Sequence, residues 1–560
     1  MANLQVPSGE TTSSTLDSVA AQDKSDHEDS SKLTDVNHQI VYEDDVLQTH
    51  LSLLDHHPEL DELNEITTTP LFTEGVREYA RGIAGYHAEK PFSQYGLLGG
   101  DLSQAETGAK FEDPRIFWNI AAPSSFFICG SQGSGKSHTL SCLLENVLVP
   151  CRANTLPRPL TGIIFHYDTF TSDSGGSPCE AAWLSSNTDI KVRVLCPPTN
   201  IQTMQKIYSR FPHITVEELR INEADLNTGR MLDLMAVSSI QGNLPLYLHV
   251  AQRILRDLRI LQQATNSGFD YSAFKKAIDL EDLTEQQVAP LKQRLDTLES
   301  FMVHSQAKKY TMRNSQHSHM PIEKSKSQGT DWTPRSGQLT IVDLSCPCVT
   351  AEMACSLFNI CLSLFLEQNA DDVGRAIALD EAHKYMTGSA QCQTLTENLL
   401  STIRLQRHLG ARVIISTQEP TISPKLLDLC SVTIVHRFTS PDWLTALGKH
   451  LAGVQSGGRL VAEVTATTTT TTTTTQEDED GEDAKQEGIA LSLGGKGDVK
   501  LQLFLKIVRL KVGEALVFSP SAIVGVDKKK GEVRRLGGEM MKIRVRNRVT
   551  MDGGRSVMAG

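Results

Sequence analysis

The clearest chemical signal in the sequence is the stretch FFICGSQGSGKSHTL, residues 126–140. Gly130 is followed after four residues by the triplet Gly135-Lys136-Ser137, with an apolar segment before the loop and apolar residues at helical spacing after it. A strand, a glycine-rich loop and a helix in this order are typical of the Walker A phosphate cradle, in which backbone N–H groups and a helix N-terminus bind phosphate. The pattern predicts a nucleoside triphosphate ligand, with an ordinary glycine loop as the alternative.

The residue types in this loop indicate their roles. We expect Lys136 to reach the β- and γ-phosphates and the hydroxyl of Ser137 to bind Mg²⁺, so that ATP and Mg²⁺ are the predicted cofactors. The predicted nucleotide-binding residues are Gly130, Gly133, Ser134, Gly135, Lys136, Ser137 and His138.

A second motif, AIALDEAHKY, places two acids at the end of an apolar segment. A triphosphate site needs one acid to hold the water shell of Mg²⁺ and a base to orient the attacking water. Asp380 fits the first role and Glu381 the second. A strand that simply ends in a polar turn is the alternative, and His383 is assigned to such a turn.

Further candidates lie around the next apolar segment, ARVIISTQEP. Gln418 is predicted to sense the γ-phosphate, with a plain polar strand end as the alternative. Arg404 and Arg407 precede this segment, and Arg437 follows the next one. An arginine can stabilise the transition state from a neighbouring subunit, although surface solvation or a structural ion pair is the simpler role for any one of them.

The elements that must position these residues alternate between apolar strands and helices. This alternation predicts an α/β fold with a mainly parallel sheet covered by helices, in which ligands bind at the carboxyl ends of strands. The predicted strands are 161–168, 190–197, 338–345, 375–383, 411–420, 431–438, the segment LQLFLKIVRL and the segment GEALVFSP. Helices are predicted over 351–367 and about 392–409, and Thr284 with Gln287 is a predicted capping box.

Composition divides the chain further. Residues 1–66 contain 15 acidic residues, two lysines and no arginine, a composition that does not bury a core. The predicted boundaries are a disordered acidic tail over 1–66, the first part of the ATPase domain over 67–200, a helical insertion over 201–310, a flexible linker over 311–336, the second part of the ATPase domain over 337–463, a disordered threonine-rich and acidic insert over 464–488, final strands over 489–526 and a basic tail over 527–560.

The sequence also argues against several classes of protein. The N-terminus lacks the basic-then-apolar pattern of a signal peptide, and no stretch of eighteen uncharged apolar residues predicts a membrane span. The eleven cysteines are scattered and include no CxxC, which disfavours a disulfide framework or a zinc site. We therefore expect an intracellular protein of the nucleus or cytoplasm, without a membrane partner.

The basic tail includes KKKGEVRRLGGEMMKIRVRNRV, residues 528–549. Lys542, Arg544, Arg546 and Arg548 alternate with apolar residues, so an extended strand would present one basic and one apolar face. The basic face could follow phosphates of a nucleic acid. An edge strand protected by charge against unwanted pairing is the favoured alternative, and a nuclear address is a weaker one.

Taken together, the motifs GSQGSGKS, LDEAHKY, RLQRHLGARVIISTQEP and VHRF resemble the HerA/FtsK branch of P-loop ATPases in kind and order. This resemblance covers about 120–200 and 338–450. It implies a RecA-like P-loop NTPase fold with an additional strand, a hexameric ring, and a motor that moves or unwinds DNA. It assigns the ATPase chemistry to Lys136, Ser137, Asp380, Glu381 and Gln418, and the trans-acting arginine to Arg404 or Arg407.

The resemblance has gaps, and they leave the substrate open. No HerA-like N-terminal barrel or FtsK-like C-terminal winged helix is evident, and the helical insertion is large. A ring-forming DNA translocase is the leading interpretation. The rival is an ATPase that remodels or tethers proteins and uses its acidic tails to dock a protein partner. A nucleotide-bound switch and a DEAH-box helicase are weaker alternatives, the latter because too little ordered chain remains for a second ATPase-like domain.

Overall fold

The computed structural model describes residues 45–54, 58–85, 90–103, 113–172, 175–234, 245–303, 306, 329–368, 373–450, 499–527 and 532–553. The chain divides into two units, Met1–Asp61 and Glu62–Gly560. The acidic insert predicted over 464–488 lies outside the described residues, as do 1–44 of the predicted tail and 311–328 of the predicted linker.

Sixteen strands of the second unit form one sheet. They are β1 (Leu71–Thr73), β2 (Tyr95–Asp101), β3 (Arg115–Asn119), β4 (Ser125–Cys129), β5 (Asn154–Thr155), β6 (Thr161–His166), β7 (Lys191–Cys196), β8 (Ile214–Glu218), β9 (Gln338–Asp343), β10 (Arg375–Leu379), β11 (Ala411–Thr417), β12 (Val432–Val435), β13 (Glu514–Phe518), β14 (Ile523–Asp527), β15 (Glu532–Arg535) and β16 (Met541–Val545).

Helices connect the strands. They are α1 (45–53), α2 (Pro58–Thr68), α3 (Glu74–Ala84), α4 (Lys136–Leu148), α5 (Ile201–Tyr208), α6 (Thr228–Leu234), α7 (Leu246–Thr265), α8 (Tyr271–Asp279), α9 (Glu285–Phe301), α10 (Ala351–Glu367), α11 (Ala390–Arg404), α12 (Gln406–Leu409), α13 (Pro424–Leu429), α14 (Pro441–His450) and α15 (Val499–Val508). Among the helices of the described residues, none has both the length and the apolar character needed to cross a bilayer.

The centre of the sheet is parallel and confirms the predicted fold class. Eight strands run parallel in the order β12-β4-β11-β10-β6-β9-β7-β8. The strand before the phosphate loop, β4, is separated from the acid-bearing strand β10 by one further strand, β11. This inserted strand is the additional strand of the predicted RecA-like P-loop fold.

These strands are central because their side chains are apolar on both faces. Every residue of β4, β10 and β11 is buried. On one face, Phe127, Phe165 and Ile377 belong to the core that includes residues of α7 to α11. On the other face, Phe126 and Ile164 belong to the core that includes α4 and the short 3-10 helix Glu180–Ser186. Because both faces of β4, β10 and β11 are packed, the carboxyl ends of these strands are held in fixed positions relative to one another.

Two sequence predictions are wrong in secondary structure. The described residues of the segment 201–310 are mostly helical, and the capping box at Thr284 and Gln287 is present as predicted. The segment also contains a strand that was not predicted, β8. Its residues alternate between half-buried and exposed, which fits a strand at the sheet edge. LQLFLKIVRL contains α15 instead of a strand. Its buried residues Leu503, Ile507 and Leu510 recur at spacings of four and three, the period of a helix.

The basic C-terminal residues also differ from the prediction. The strand β16 is not an edge, because it pairs with β13 on one side and with β2 on the other. Its apolar and basic residues alternate as predicted, with Ile543 buried and Arg544 exposed. Beyond the strand, however, Arg546 and Arg548 turn inward, and their side chains are only 6% and 1% exposed.

Candidate nucleotide-binding site

The phosphate loop connects β4 to α4, and its glycines are required by its shape. Gly130 and Gly135 have φ angles of 153° and 115°, in a region that favours glycine. A Cβ on Gly130 would lie 2.7 Å from Cβ of His436 and 2.8 Å from Oγ of Ser134. The loop can therefore pass this close to its neighbours only with glycine at this position.

The loop is held in place by neighbouring backbone. The N–H and the hydroxyl of Ser131 both donate to the carbonyl oxygen of Arg437, each at 2.9 Å. The hydroxyl of Ser134 donates to the carbonyl of Ser131 at 2.7 Å, and the N–H of Gly513 donates to the carbonyl of Ser134 at 3.4 Å. The segment VHRF thus supports the loop through the main chain of Arg437.

Lys136 is the first residue of α4 and is 4% exposed. Its Nζ donates to the carbonyl of Ser131 at 3.0 Å. Burial lowers the pKa of this amine, and electrostatic interaction with Glu381 and Asp380 partly opposes the shift. The structure therefore brings the amine of Lys136 close to both acids of the second motif, although the sequence separates them widely.

Asp380 follows β10 and is 3% exposed. Its Oδ2 accepts a hydrogen bond from Nδ1 of His166 at 3.2 Å. Its Oδ1 is buried and has no hydrogen-bond partner among the described residues. A buried carboxylate oxygen without a partner is costly unless a ligand satisfies it. Mg²⁺ prefers carboxylate and hydroxyl oxygens and retains several waters, so Asp380 and the half-buried Ser137 fit this ion.

The residue pair around His166 was not identified from the sequence. Burial by itself lowers the pKa of His166, but Cys179, Asp343 and the hydrogen bond to Asp380 raise it well above the ordinary value. His166 ends β6, and Asp380 follows β10, the strand paired with β6. The pairing of the two side chains could therefore be recognised only once the order of the strands in the sheet is known.

Glu381 has a backbone conformation that is unusual for a residue with a side chain. Its φ and ψ are 48° and 45°, in the left-handed region, where a non-glycine residue stores strain. Oε2 of Glu381 accepts a hydrogen bond from Nε2 of Gln418 at 2.7 Å and lies 3.4 Å from Nδ1 of His383. The carbonyl of Gln418 in turn accepts from Nε1 of Trp443 at 2.7 Å. Gln418 thus contacts the predicted base directly.

His383 and His436 are two site residues that sequence reasoning missed. Burial lowers the pKa of His383, so a neutral imidazole lies beside Glu381. Burial also lowers the pKa of His436 to about 4. Nδ1 of His436 faces the carbonyl of Glu514 at 3.0 Å and Nε2 faces the hydroxyl of Thr139 at 2.9 Å. This histidine therefore joins β12, β13 and the phosphate-loop helix.

The other predicted residues lie elsewhere. Nε2 of His138 contacts the carbonyl of Arg546 at 2.8 Å, which turns the imidazole toward the C-terminal segment. Arg404 and Arg407 are exposed and lie just before β11. They therefore lie near the amino-terminal ends of the parallel strands, whereas Asp380 and Glu381 follow the carboxyl end of β10.

No family model matches the sequence, and no similar protein was found among curated proteins. Similar solved structures include VirB4 of Thermoanaerobacter pseudethanolicus, at 11% identity over 81% of this chain and 96% of that chain, with a TM-score of 0.36. B204, the DNA-packaging ATPase from Sulfolobus turreted icosahedral virus, is 10% identical over 74% and 96%, with a TM-score of 0.27.

The cytoplasmic domain of the Thermomonospora curvata type VII secretion ATPase EccC is also similar, at 13% identity over 64% of this chain and 25% of that chain, with a TM-score of 0.21. B204 and EccC are ATPases. The likeness is remote by each of these measures, and the fold is assigned from the strand order of the chain itself.

Proposed function

We propose that this chain is a Mg²⁺-dependent ATPase motor of the HerA/FtsK type that acts as a ring on DNA. One observation carries the proposal: the phosphate loop with Lys136 follows the carboxyl end of β4, and Asp380 and Glu381 follow the carboxyl end of β10 in the same parallel sheet, with only β11 between the two strands. An amine, an acid with an unsatisfied oxygen and a second acid are the groups that triphosphate hydrolysis requires.

The roles follow from the chemistry of each group. The N–H groups of the loop and the amine of Lys136 would bind the phosphates, and Ser137 and Asp380 would hold Mg²⁺, which would supply positive charge to offset that of the phosphates. Glu381 accepts a proton from the attacking water. Gln418 holds the carboxylate of Glu381 in place through its 2.7 Å hydrogen bond.

Ring formation is supported by the surface just before β11. Arg404, Arg407 and His408 are exposed there, and Leu405 is 49% exposed. An exposed leucine between arginines fits a contact with another protein surface, where aromatic residues and arginine are enriched and an apolar centre is usual. A neighbouring subunit at this surface would receive Arg404 or Arg407 near its nucleotide.

Remodelling of a protein substrate is the second candidate, and one observation favours it. Arg546 and Arg548, which the sequence offered as phosphate-tracking residues, are buried and bonded to Glu145 and Glu180. Fewer exposed cations remain along that segment to bind DNA. In this alternative the acidic segments 1–66 and 464–488 dock a protein partner.

Turnover of ATP with single- and double-stranded DNA, measured across a salt series, separates the two candidates. A translocase should be stimulated by DNA, and the stimulation should decrease with salt because phosphate contacts release counterions. Turnover that DNA leaves unchanged would exclude the translocase and leave the ATPase in place. The Lys136→Ala variant is the control, and it should lose nucleotide binding or turnover.

The assignment of the base and the ring can be tested together. Glu381→Gln should retain ATP without hydrolysing it, because the amide cannot accept the proton. Sedimentation of this variant with ATP and Mg²⁺ should detect a hexamer. Hydrolysis at the native rate would refute the role of Glu381. A monomer at every concentration would remove the role of Arg404 and Arg407 in a neighbouring site.

A further inference from the structure

A cluster of three potential metal ligands lies beneath the nucleotide site. It consists of His166 at the end of β6, Cys179 before the 3-10 helix Glu180–Ser186, and Asp380 after β10, and all three are buried. Their ligand atoms lie within 4.8 Å of one another. We propose that this cluster is a binding site for a zinc-like transition metal ion, distinct in chemistry from the Mg²⁺ site.

The distances within the cluster fit a tetrahedral ion. Two oxygen or nitrogen ligands at about 2.0 Å from a tetrahedral zinc ion lie about 3.3 Å apart, and a thiolate at about 2.3 Å lies about 3.5 Å from such a ligand. Nδ1 of His166 lies 3.2 Å from Oδ2 of Asp380, and Sγ of Cys179 lies 3.8 Å from the same oxygen. Two of the three ligand pairs are therefore close to tetrahedral spacing, and the ligand atoms of His166 and Cys179 lie within 4.8 Å of each other.

Two atoms of the cluster have no hydrogen-bond partner among the described residues, although both are buried. They are Nε2 of His166 and Oδ1 of Asp380. Leaving such atoms without a partner costs on the order of 1–3 kcal/mol each. Oδ1 of Asp380 can accept a hydrogen bond from a water molecule on the ion, and that water would supply the fourth ligand. Three protein ligands and an open position are typical of exchangeable zinc sites.

The surroundings of the cluster hold Cys179 in position. The backbone N–H of Cys179 donates to the hydroxyl of Tyr208 at 3.0 Å, and this hydroxyl donates to Oδ2 of Asp343 at 2.6 Å. Asp343 is itself fixed by the N–H of Ser345 at 3.0 Å. Groups of this kind outside the ligand shell orient ligands and raise metal affinity.

The ligand types select the metal. A thiolate and an imidazole are soft or borderline ligands that favour Zn²⁺, Co²⁺ or Cu⁺ and disfavour Mg²⁺. Asp380 belongs to both sites, and a zinc-like ion on its Oδ2 would weaken binding of Mg²⁺ at Oδ1, because it draws charge from the shared carboxylate and repels a second cation. The consequence, inhibition of turnover by zinc, rests on the proposed ATPase function, whereas binding of the ion does not.

Titration of the full-length, metal-free chain with Co²⁺ in the absence of nucleotide tests the site. We expect a sulfur-to-cobalt charge-transfer band that saturates near one equivalent and is reversed by excess Zn²⁺. Cys179→Ala should lose at least about 10–100-fold in affinity, the loss that even an outer group can cause. Cys361→Ala, which changes a buried cysteine of α10, should titrate like the wild type.

His166→Gln is a second variant that does not involve a thiol, and it should also weaken Co²⁺ binding. It keeps the test valid if Cys179→Ala does not fold, as judged by thermal unfolding of the metal-free chains. Identical titrations of the wild type and of a folded variant would overturn the site. So would a charge-transfer band that Cys361→Ala removes and Cys179→Ala retains.

Turnover with Mg²⁺ and ATP, measured as Zn²⁺ is added, completes the test. The wild type should lose more than about tenfold in rate, and Cys179→Ala should resist the same concentration of Zn²⁺. Equal inhibition of both proteins would overturn the competition for Asp380. A chain that binds Co²⁺ through Cys179 but never hydrolyses ATP would instead refute the proposed function and leave the metal site standing.

Discussion

The phosphate-loop helix and the segment after β10 present two buried carboxylates with opposite environments. Glu145, on α4, is fully buried and accepts hydrogen bonds from Nη1 of Arg546 at 2.7 Å, from the N–H of Thr550 at 2.9 Å, from its hydroxyl at 2.5 Å and from the N–H of Val549. Asp380, after β10, is almost as buried, yet within the described part of the chain its Oδ1 has no such partner.

This difference separates a structural acid from a functional one. A buried charge is stable when every oxygen is satisfied by the protein, as in Glu145. A buried carboxylate oxygen that lacks a partner among the described residues, as in Asp380, carries an uncompensated desolvation cost, which a bound ligand would offset. The C-terminal segment around Arg546 therefore holds the phosphate-loop helix through Glu145, whereas the environment of Asp380 fits the ion-binding role that we propose for it.

The largest expected effect is on stability, and it comes from removing a hydrogen-bond partner of Glu145. Arg546→Ala should lower the free energy of unfolding by about 3–5 kcal/mol, because it leaves Glu145 charged and buried with fewer partners. Arg544→Ala is the matched control on the same segment, since Arg544 is 58% exposed beside Glu514, and it should cost less than about 1 kcal/mol. Equal losses for both, measured by urea denaturation, would contradict the comparison.

Asp380→Asn should strongly reduce turnover but have little effect on stability. Turnover should fall roughly 10²–10³-fold, about 3–4 kcal/mol, because the amide no longer carries the charge that holds Mg²⁺. The free energy of unfolding should change by less than about 1 kcal/mol, since the amide oxygen can still accept from His166. Urea denaturation and steady-state kinetics on the same preparation measure both. Severe destabilisation would show that Asp380 is structural like Glu145.

His436 connects the phosphate-loop helix to β13 through Thr139 and Glu514, and its burial predicts a pH dependence. Its pKa is about 4 in the folded chain, below the ordinary value, so below pH 6.5 the unfolded chain binds a proton that the folded chain does not. Stability should therefore decrease as pH falls from about 6.5 to 4, by up to roughly 3 kcal/mol from this residue. His436→Gln should reduce that decrease. An unchanged pH profile of urea denaturation would argue against a neutral, buried His436.

The sequence predicts the residues that belong to short local motifs. Lys136, Asp380 and Glu381 belong to local motifs at the ends of apolar segments, and the rule that ligands bind at the carboxyl ends of parallel strands places them together. The parallel sheet was predictable for the same reason, because continuous apolar runs alternate with helices. For these motif residues and strands, a short stretch of sequence contains most of the information that fixes their position.

What could not be predicted depends on pairings that are distant in the sequence. Nothing near Arg546 indicates that it meets Glu145, about 400 residues away, and its alternation with apolar residues suggested an exposed face instead. His166 and Asp380 meet only because β6 and β10 are neighbours. The helix α15 was misjudged because a short apolar run fits a strand or a buried helix equally well.

The smallest expected effect concerns Gln418, whose side chain fixes Glu381 at a strained position. Gln418→Ala removes the 2.7 Å hydrogen bond to Glu381 and should lower kcat about tenfold, since a hydrogen bond to a charged group contributes about 1.5 kcal/mol. The Kd for ATP should be unchanged, because Gln418 contacts the base and not the phosphate loop. Trp443→Phe removes the hydrogen bond to the Gln418 carbonyl and reduces the packing of this ring against Phe127 and Phe438. It should lower kcat less than Gln418→Ala does, because it leaves the hydrogen bond to Glu381 in place. An increase in kcat for Gln418→Ala would reverse the assignment: Gln418 would then hold Glu381 away from the attacking water, and the strained backbone would belong to an inactive state of the site.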